Sequence, residues 1–367
     1  MRHFKYFSKE DILSLTRIRK YETKLGERVQ PLRQDIPFSQ ALSESNAEYV
    51  IIGIPEDIGV KANLGKGGAD TAWLPFLTSF LNIQSNDLLS GDDILMLGHF
   101  DFGDIKYLIE HNASGQDEKL EAYRHAVNTI DAEVEHIINI IAAAGKMPVI
   151  IGGGHNNAYP IIKGVAKGLH KSDKLPLAQI NCVNMDAQSD YRPLEGRHSG
   201  NAFRYAEDDG YLCKYFILGL HENYLSQSIM TDIGQNPFVQ YVTYEDLFIR
   251  GKLNFMQAVS EAFTFIEDSV TGIEIDLDSI QDVLSSAYTP SGFTALDARR
   301  MVNFMGQHAQ VGYLHIAEGA CRLSDGVRDD STGKLISYLV SDFIKAHAND
   351  NHNASKSQAG KSASVHG

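Results

Sequence analysis

The chain has 367 residues, of which 43% are hydrophobic, so it is long enough for one large domain with a sizeable core. Its 33 Lys and Arg residues against 47 Asp and Glu residues give a formal net charge of -14, which argues against nucleic acid or an anionic membrane as the main partner. The three cysteines have no disulfide or metal-site spacing, and no segment has the length of a signal peptide or membrane span. We therefore predict a cytoplasmic protein that acts on a small molecule.

Strands and helices are predicted to alternate through most of the chain. The apolar segment 47–54 predicts a buried strand, and 122–144 carries apolar residues at helical spacing up to a stop at Gly145. Short apolar runs rich in β-branched residues predict further strands at 148–151, 177–183, 215–218, 239–243, 271–275 and 312–316. Buried strands separated by helices indicate an α/β fold with three αβα layers and a mainly parallel sheet.

The composition divides the chain into three segments. Residues 1–46 are polar with helical patches and predict an N-terminal extension that is either packed on the sheet or partly mobile. Residues 47–346 form the α/β domain. From position 347 the chain is rich in Asn, Ser, Lys and Gly and cannot bury enough apolar surface, which predicts a disordered C-terminal tail at 347–367.

Polar motifs follow three of the predicted strands, at the edge of a parallel sheet where ligands bind. Asp276 and Asp278 alternate with apolar residues, so one strand end can project both carboxylates to the same side. Any one of these motifs alone is more often a helix cap or a turn, but three in order favour a metal centre. The candidate ligands are His155, Asp186, Asp190, Asp276 and Asp278.

The ligand types indicate the reaction. The four carboxylates around the imidazole repel one another unless cations lie between them. A ligand set so rich in oxygen favours Mn²⁺ or Mg²⁺ over Zn²⁺. Two ions that share carboxylates would lower the pKa of a water between them and present hydroxide to an electrophilic carbon. The predicted reaction class is metal-assisted hydrolysis.

These motifs, in this order, resemble the ureohydrolase superfamily of arginase, agmatinase and formimidoylglutamase over roughly residues 47–346, the predicted catalytic domain. The family usually has Gly-Gly-Asp-His-Ser where this chain has Gly154 and Asn156 on either side of the histidine. It has Asp-Ala-His-x-Asp where this chain has Gln188 in place of the histidine. The segments that carry the resemblance are 53–59, 152–157, 186–190, 274–278 and 315–318.

The resemblance implies two manganese ions. It places His155, Asp186, Asp190 and Asp276 around one ion, and Asp186, Asp276 and Asp278 around the second. Gln188 stands where the family has an imidazole ligand of that second ion. Two interpretations are open: its carbonyl oxygen is a weak ligand, or it forms hydrogen bonds outside the ligand shell of a protein with one metal or none.

The polar loop 192–201 lines the substrate pocket in the family. Arg192 and Arg197 are candidates for binding a substrate carboxylate, with ion pairs to neighbouring acidic residues as the alternative. His198 is either a proton shuttle or an exposed loop histidine. The other residues of this loop assigned to substrate binding are Ser199, Gly200 and Asn201.

Glu318 ends an apolar strand, where a charge has no evident structural purpose, and would complement a guanidinium or formimino nitrogen. The segment 285–292 either shapes the pocket or is a simple turn. The predicted function is hydrolysis of formimidoylglutamate to glutamate and formamide, with His198 or Asp190 protonating the leaving nitrogen. Arginine or agmatine, giving urea, is the next choice.

An alternative from another class is a ureohydrolase-like pseudoenzyme that binds a ligand or regulates a partner without turnover. Gln188 is the residue that motivates it. The resemblance also implies a homo-oligomer, either a trimer or a hexamer.

Overall fold

A sheet of nine strands forms the centre of the protein, which the computed structural model describes over residues 2–307 and 310–363, with side chains as far as 348. The strand order is β1-β3-β2-β4-β9-β8-β5-β6-β7, and every pair is parallel except β1 with β3. The strands are β1 (Phe4–Tyr6), β2 (Tyr49–Gly53), β3 (Ile94–Phe100), β4 (Met147–Ile151), β5 (Ile180–Met185), β6 (Leu212–Leu220), β7 (Val239–Thr243), β8 (Thr271–Asp276) and β9 (Val311–Ala317).

Helices cover both faces of the sheet. One hydrophobic core lies between the sheet and α3, α7, α8, α9 and α10, and a second lies between the other face and α5, α11, α12 and α13. The helices are α1 (Lys9–Ser14), α2 (Leu25–Arg28), α3 (Phe38–Glu44), α4 (Ile58–Ala62), α5 (Trp73–Phe80), α6 (Gly103–Asn112), α7 (Gln116–Ala143), α8 (Ala158–Lys171), α9 (Ala202–Asp208), α10 (Gln227–Gln235), α11 (Phe255–Ile266), α12 (Ala295–Gly306) and α13 (Ser331–Ala363).

This architecture confirms the predicted three-layer α/β fold. Every residue of β2, β5 and β8 is buried. The apolar run of β2 is continuous for this reason, whereas β5 and β8 also bury polar residues, among them Asn181, Asn184 and Glu274. The predicted helix 122–144 corresponds to most of α7, which begins earlier, at Gln116. The prediction missed the first turns of α7 because they are mostly polar and show no apolar periodicity.

Two strands were not predicted, β1 and β3. β1 has three residues and exists through its pairing with β3, so sequence periodicity cannot reveal it. Gly98 in β3 allows this pairing, since a Cβ there would lie 2.0 Å from the carbonyl oxygen of Lys5, and its φ of +137° suits glycine. The segment 1–46 therefore contributes one of the two edge strands of the sheet.

The last helix, α13, contains the predicted domain boundary at 346/347. Its residue His347 is buried, and Nδ1 lies 2.9 Å from the hydroxyl of Tyr49 on β2. The disorder of 347–367 stays a prediction, and residues 364–367 lie outside the described part of the chain. Within residues 2–307 and 310–363, no helix is both long and apolar enough to cross a membrane. The cytoplasmic location stays a prediction.

Candidate metal centre and active site

Four neighbouring strands bring the candidate site together. The strands β4, β9, β8 and β5 are adjacent in the sheet and parallel, so their carboxyl ends meet at one edge. Each delivers at least one candidate residue, beginning with His155 after β4, Glu318 after β9, Asp276 at the end of β8 and Asp186 after β5. All four residues are buried.

His155 lies at the centre of a carboxylate cluster. Its Nδ1 is 2.8 Å from Oδ2 of Asp190, 3.0 Å from Oδ2 of Asp276 and 3.4 Å from Oδ2 of Asp186. Both ring nitrogens are buried and neither forms a hydrogen bond of acceptable geometry. The structure thus brings together the four residues predicted for the first ion. Buried oxygen donors beside an unpaired imidazole nitrogen fit a hard divalent cation such as manganese.

The acids in this cluster oppose one another's ionisation. Burial, and then the nearby charges of Asp276 and Asp190, raise the pKa of Asp186 well above its ordinary value. Burial also raises the pKa of Asp190, although the contact with His155 lowers it. A bound cation would reverse this effect, because an adjacent positive charge stabilises the ionised form.

Asp278 lies beside the cluster rather than within its close contacts. Its backbone N–H donates to Oδ1 of Asp276 at 2.8 Å, and its own Oδ1 is buried without a hydrogen-bond partner. Burial and the charges of Asp276 and Asp186 raise its pKa well above the ordinary value. The backbone N–H of Gln188 donates to Oδ1 of Asp186 at 2.7 Å, while the half-buried residue lines the adjacent cavity. The roles of Gln188 and Asp278 as ligands stay predictions.

Glu318 connects the turn of His155 to the predicted pocket segment 285–292. Its Oε1 accepts from the backbone N–H of His155 at 2.8 Å, and its Oε2 accepts from Oγ of Ser286 at 2.9 Å. Burial, and then the charge of Asp276, raise the pKa of Glu318 to about 8. Glu318 and Asp190 also have φ values of 61° and 45°, a backbone region that non-glycine residues rarely occupy. Two acids of the site are thus held in strained conformations.

The structure places His198 inside the protein, so it is not the exposed loop histidine of the alternative interpretation. Its Nδ1 accepts from the backbone N–H of Gly200 at 3.1 Å, and its Nε2 is 3.2 Å from Oε1 of Glu195. Burial, and then the charge of Arg192, lower the pKa of His198 to about 4, although Glu195 opposes this shift. The ring is therefore neutral at pH 7 and directs its Nε2–H to Glu195.

Arg197 is buried away from the cavity, and this position does not fit the predicted contact with a substrate carboxylate. Its Nε and Nη2 donate to the carboxylate of Asp131 on α7 at 2.9 and 3.2 Å. Its Nη1 donates to Oδ1 of Asn201 at 2.9 Å, and Nη2 also donates to the carbonyl oxygen of Asn156 at 2.8 Å. Arg197 and Asn201 thus support the loop from behind.

Arg192 faces a cavity of about 550 Å³ next to the cluster. Its Nη1 donates to Oδ1 of Asn63 at 2.9 Å, and its Nη2 lies 2.6 Å from Oε1 of Glu195, the ion pair of the alternative interpretation. Ser199 lies behind this wall, where its Oγ accepts from Nδ2 of Asn63 at 3.3 Å. The cavity is lined by Asn63, Gln188, Ser189, Asp190, Arg192, Pro193, Glu195, Gly200, Tyr224, Ser226, Ser228 and Ile229.

Glu56 is a site residue that the sequence did not reveal. Its Oε1 accepts from the backbone N–H of Gly154 at 3.2 Å and from the side-chain amides of Asn156 and Asn157 at 3.1 and 2.6 Å. Its Oε2 accepts from the backbone N–H of Ile58 at 2.7 Å. Burial raises the pKa of Glu56 to about 7, against these donors, which lower it. The only sequence signal was a carboxylate inside an apolar strand-and-loop motif.

Fold and site define an α/β protein with a buried carboxylate and histidine cluster at the carboxyl edge of its sheet, the layout of a metal-dependent hydrolase. The family model described as Arginase family matches residues 47–342, and the chain therefore belongs to the arginase family. This membership and the relatives below confirm the predicted enzyme class, a hydrolase that acts on C–N bonds of linear amidines.

The curated relatives include formimidoylglutamase of Streptococcus pyogenes serotype M3 (strain ATCC BAA-595 / MGAS315), which is 24% identical over 329 residues, 87% of this chain and 84% of the relative. Solved structures with the same fold include Trypanosoma cruzi formiminoglutamase with Mn²⁺, at a TM-score of 0.65, 19% identity, and coverage of 89% of this chain and 99% of that one. Formimidoylglutamase from Bacillus subtilis has a TM-score of 0.68 at 16% identity, with 90% and 93% covered.

We expect Glu56→Gln to lower the free energy of unfolding by about 1–3 kcal/mol, because an amide N–H₂ would face amide donors and leave them unpaired. Urea unfolding in the presence of a chelator measures this change without a contribution from bound metal. The matched control is Glu261→Gln on the exposed face of α11, which should alter stability by less than about 0.5 kcal/mol. Equal stability of the two variants would contradict the role of Glu56.

The low pKa of His198 predicts a loss of stability in acid. Its folded pKa of about 4 lies below the ordinary value of 6.5, so between these pH values the unfolded chain binds more protons and stability falls as pH falls. For His198→Gln we expect a shallower fall, by up to about 1.4 kcal/mol per pH unit. Urea unfolding from pH 7 to pH 4 measures the slopes, with exposed His125→Gln as the control. A slope identical to that of the wild-type protein would disprove this account.

Proposed function

We propose that this protein hydrolyses formimidoylglutamate to glutamate and formamide. The observation that carries the proposal is the His155 cluster, which shares Asp190 with a cavity that also contains a partly exposed arginine, Arg192. A substrate with an amidine at one end and carboxylates at the other suits this combination. The names of the curated relatives support the same substrate.

The proposal includes two manganese ions. His155, Asp186, Asp190 and Asp276 would hold one ion, and Asp278 would hold the second together with Asp186 and Asp276. When bound, the ions would lower the pKa of a water molecule so that it can attack the amidine carbon at neutral pH. The Trypanosoma cruzi formiminoglutamase structure contains Mn²⁺, which supports this choice of metal.

Glu318 and Arg192 would hold the two ends of the substrate. The carboxyl of Glu318 is fixed by His155 and Ser286, and each of its oxygens retains a lone pair for an amidine N–H. Arg192 would exchange its ion pair with Glu195 for a substrate carboxylate, which a guanidinium binds through two parallel hydrogen bonds. The water oxygen becomes the carbonyl oxygen of formamide, and the bond between the carbon and the glutamate nitrogen breaks.

The leaving nitrogen needs a proton, and the two predicted sources are Asp190 and His198. Asp190 lines the cavity, whereas the Nε2–H of His198 is directed to Glu195. A proton donor must come within hydrogen-bond reach of the leaving atom. We therefore favour Asp190 as the proton donor, with His198 as a residue that positions Glu195.

Gln188 is the observation that favours a second candidate, a ureohydrolase-like protein that binds a ligand without turnover. An amide oxygen is a weaker ligand for Mn²⁺ than an imidazole nitrogen or a carboxylate. If the second ion does not bind, the water is activated by one cation alone, and catalysis is weak or absent.

The proposed activity predicts formamide and glutamate from formimidoylglutamate in the presence of Mn²⁺, with little or no urea from arginine or agmatine. The measurement is a product assay on protein loaded with Mn²⁺, alongside metal analysis of the same sample. Removal of the metal with a chelator should abolish turnover, and added Mn²⁺ should restore it. Bound Mn²⁺ with no product from any of the three substrates would support the pseudoenzyme instead.

For Gln188→His we expect the second manganese ion to be retained better during dialysis than in the wild-type protein, because an imidazole nitrogen replaces a neutral amide oxygen. Metal analysis after dialysis measures the content, and the product assay shows whether turnover rises with it. The control is Gln240→His on an exposed position of β7, which should leave the metal content unchanged. If the wild-type protein already retains two ions, Gln188 is itself an adequate ligand.

A further inference from the structure

We propose that Glu274, held in place by His315, positions the imidazole ring of His155 so that its Nδ1 faces the three aspartates. This inference rests on the proposed metal centre but not on the identity of the substrate. It assigns to Glu274 and His315 a positioning role that the sequence motifs do not indicate.

The Nε2 of His155 lies 3.4 Å from Oε2 of Glu274, on the side of the ring opposite the carboxylate cluster. The same oxygen of Glu274 is 2.6 Å from Nδ1 of His315, and the other oxygen accepts from the hydroxyl of Tyr313 at 2.7 Å. The Nε2 of His315 is 3.4 Å from the carbonyl oxygen of Gly152, in the turn that leads to His155. All four side chains and the carbonyl group thus form one buried chain of polar contacts.

The sheet register produces this arrangement. Glu274 on β8 is paired directly with His315 on β9, so the two side chains project to the same face of the sheet. Glu274 and Asp276 lie two residues apart on β8 and therefore share that face as well. As a result, one strand places a carboxylate on each side of the His155 ring.

A purely structural role explains this group poorly. Glu274, His315, Tyr313 and His155 all have 0% exposure, and a buried carboxylate is costly unless it is fully hydrogen-bonded. The neighbouring positions of β8, Ile273 and Ile275, are apolar, so the strand itself needs no charge. An imidazole that binds a metal through one nitrogen carries a proton on the other, and a carboxylate is a common acceptor for that proton.

Replacing the carboxylate of Glu274 with an amide should change the preferred tautomer of the His155 ring. In Glu274→Gln the amide can donate to Nε2 of His155, which favours the tautomer with its proton on Nδ1, the nitrogen that the metal needs. Loss of such an outer contact typically weakens metal binding by about 10–100-fold. Tyr313→Phe is the matched control, since it removes one donor to Glu274 and leaves the carboxylate facing His155.

The test measures the dissociation constant for Mn²⁺ by competition with a chelator, and the visible absorption bands of the Co²⁺-loaded protein. For Glu274→Gln we expect a dissociation constant raised about 10–100-fold and shifted Co²⁺ bands, with Tyr313→Phe within about threefold of wild type. Wild-type affinity and bands in Glu274→Gln would overturn the proposal. Equal weakening in both variants would also overturn it, because it would show a general loss of packing.

A second pair of variants decides the matter if Glu274→Gln does not fold. In His315→Asn the side-chain amide can replace Nδ1 as the donor to Glu274, whereas His315→Leu removes that donor. We expect weakened Mn²⁺ binding in His315→Leu and restored binding in His315→Asn, and wild-type binding in both would disprove the role. Bound Mn²⁺ without turnover would instead contradict the proposed function alone. A wild-type chain that binds neither metal would overturn both.

Discussion

The mutual repulsion of buried carboxylates around one imidazole is the constraint on which the rest of the structure depends. Five acids and His155 lie together with almost no exposure, and burial with like charges raises the pKa of most of these acids. Such a group destabilises the fold unless donors and cations offset the charge. Two of these donors are the backbone N–H of His155, which donates to Glu318, and that of Asp278, which donates to Asp276. The acids are Asp186, Asp190, Asp276, Asp278 and Glu318.

The strand order brings the acids and His155 together at one edge of the sheet. The four central strands are adjacent in the sheet, and three of them supply the acids: Asp186 and Asp190 follow β5, Asp276 and Asp278 lie at the end of β8, and Glu318 follows β9. The positive φ values of Asp190 and Glu318 fix the direction of two of these acids, and Asp190 lines the cavity. Glu56 stabilises the site from outside the cluster, because its carboxylate connects the loop after β2 to the turn that contains His155. Metal ligands at the ends of rigid strands, with Glu56 connecting two of the loops, are held more accurately than ligands on loops alone.

The sequence predicted the buried strands and the residues at their ends because both leave local signals. Continuous apolar runs identify β2 and β4, and the carboxylates of Asp186 after β5 and Asp276 at the end of β8 have few other reasons to be there. What it could not predict depends on pairs that are distant in the chain. The sequence predicted that Arg197 binds a substrate carboxylate, but its guanidinium forms hydrogen bonds with Asp131 in the middle of α7. The partnership of Glu274 with His315 is likewise set by strand register, which one sequence does not reveal.

Gln188 and Glu274 affect the metal centre in different ways. A histidine ligand is neutral when it binds a metal, so glutamine at position 188 changes the donor strength of the site and leaves its charge unaltered. Glu274 adds a negative charge on the far side of His155, where it makes the ring a stronger donor and is itself stabilised by His315 and Tyr313. Burial raises the pKa of Glu274, but the contacts with His315 and His155 outweigh burial and lower this pKa to about 2. A stronger His155 on the first ion can thus accompany a weaker ligand on the second.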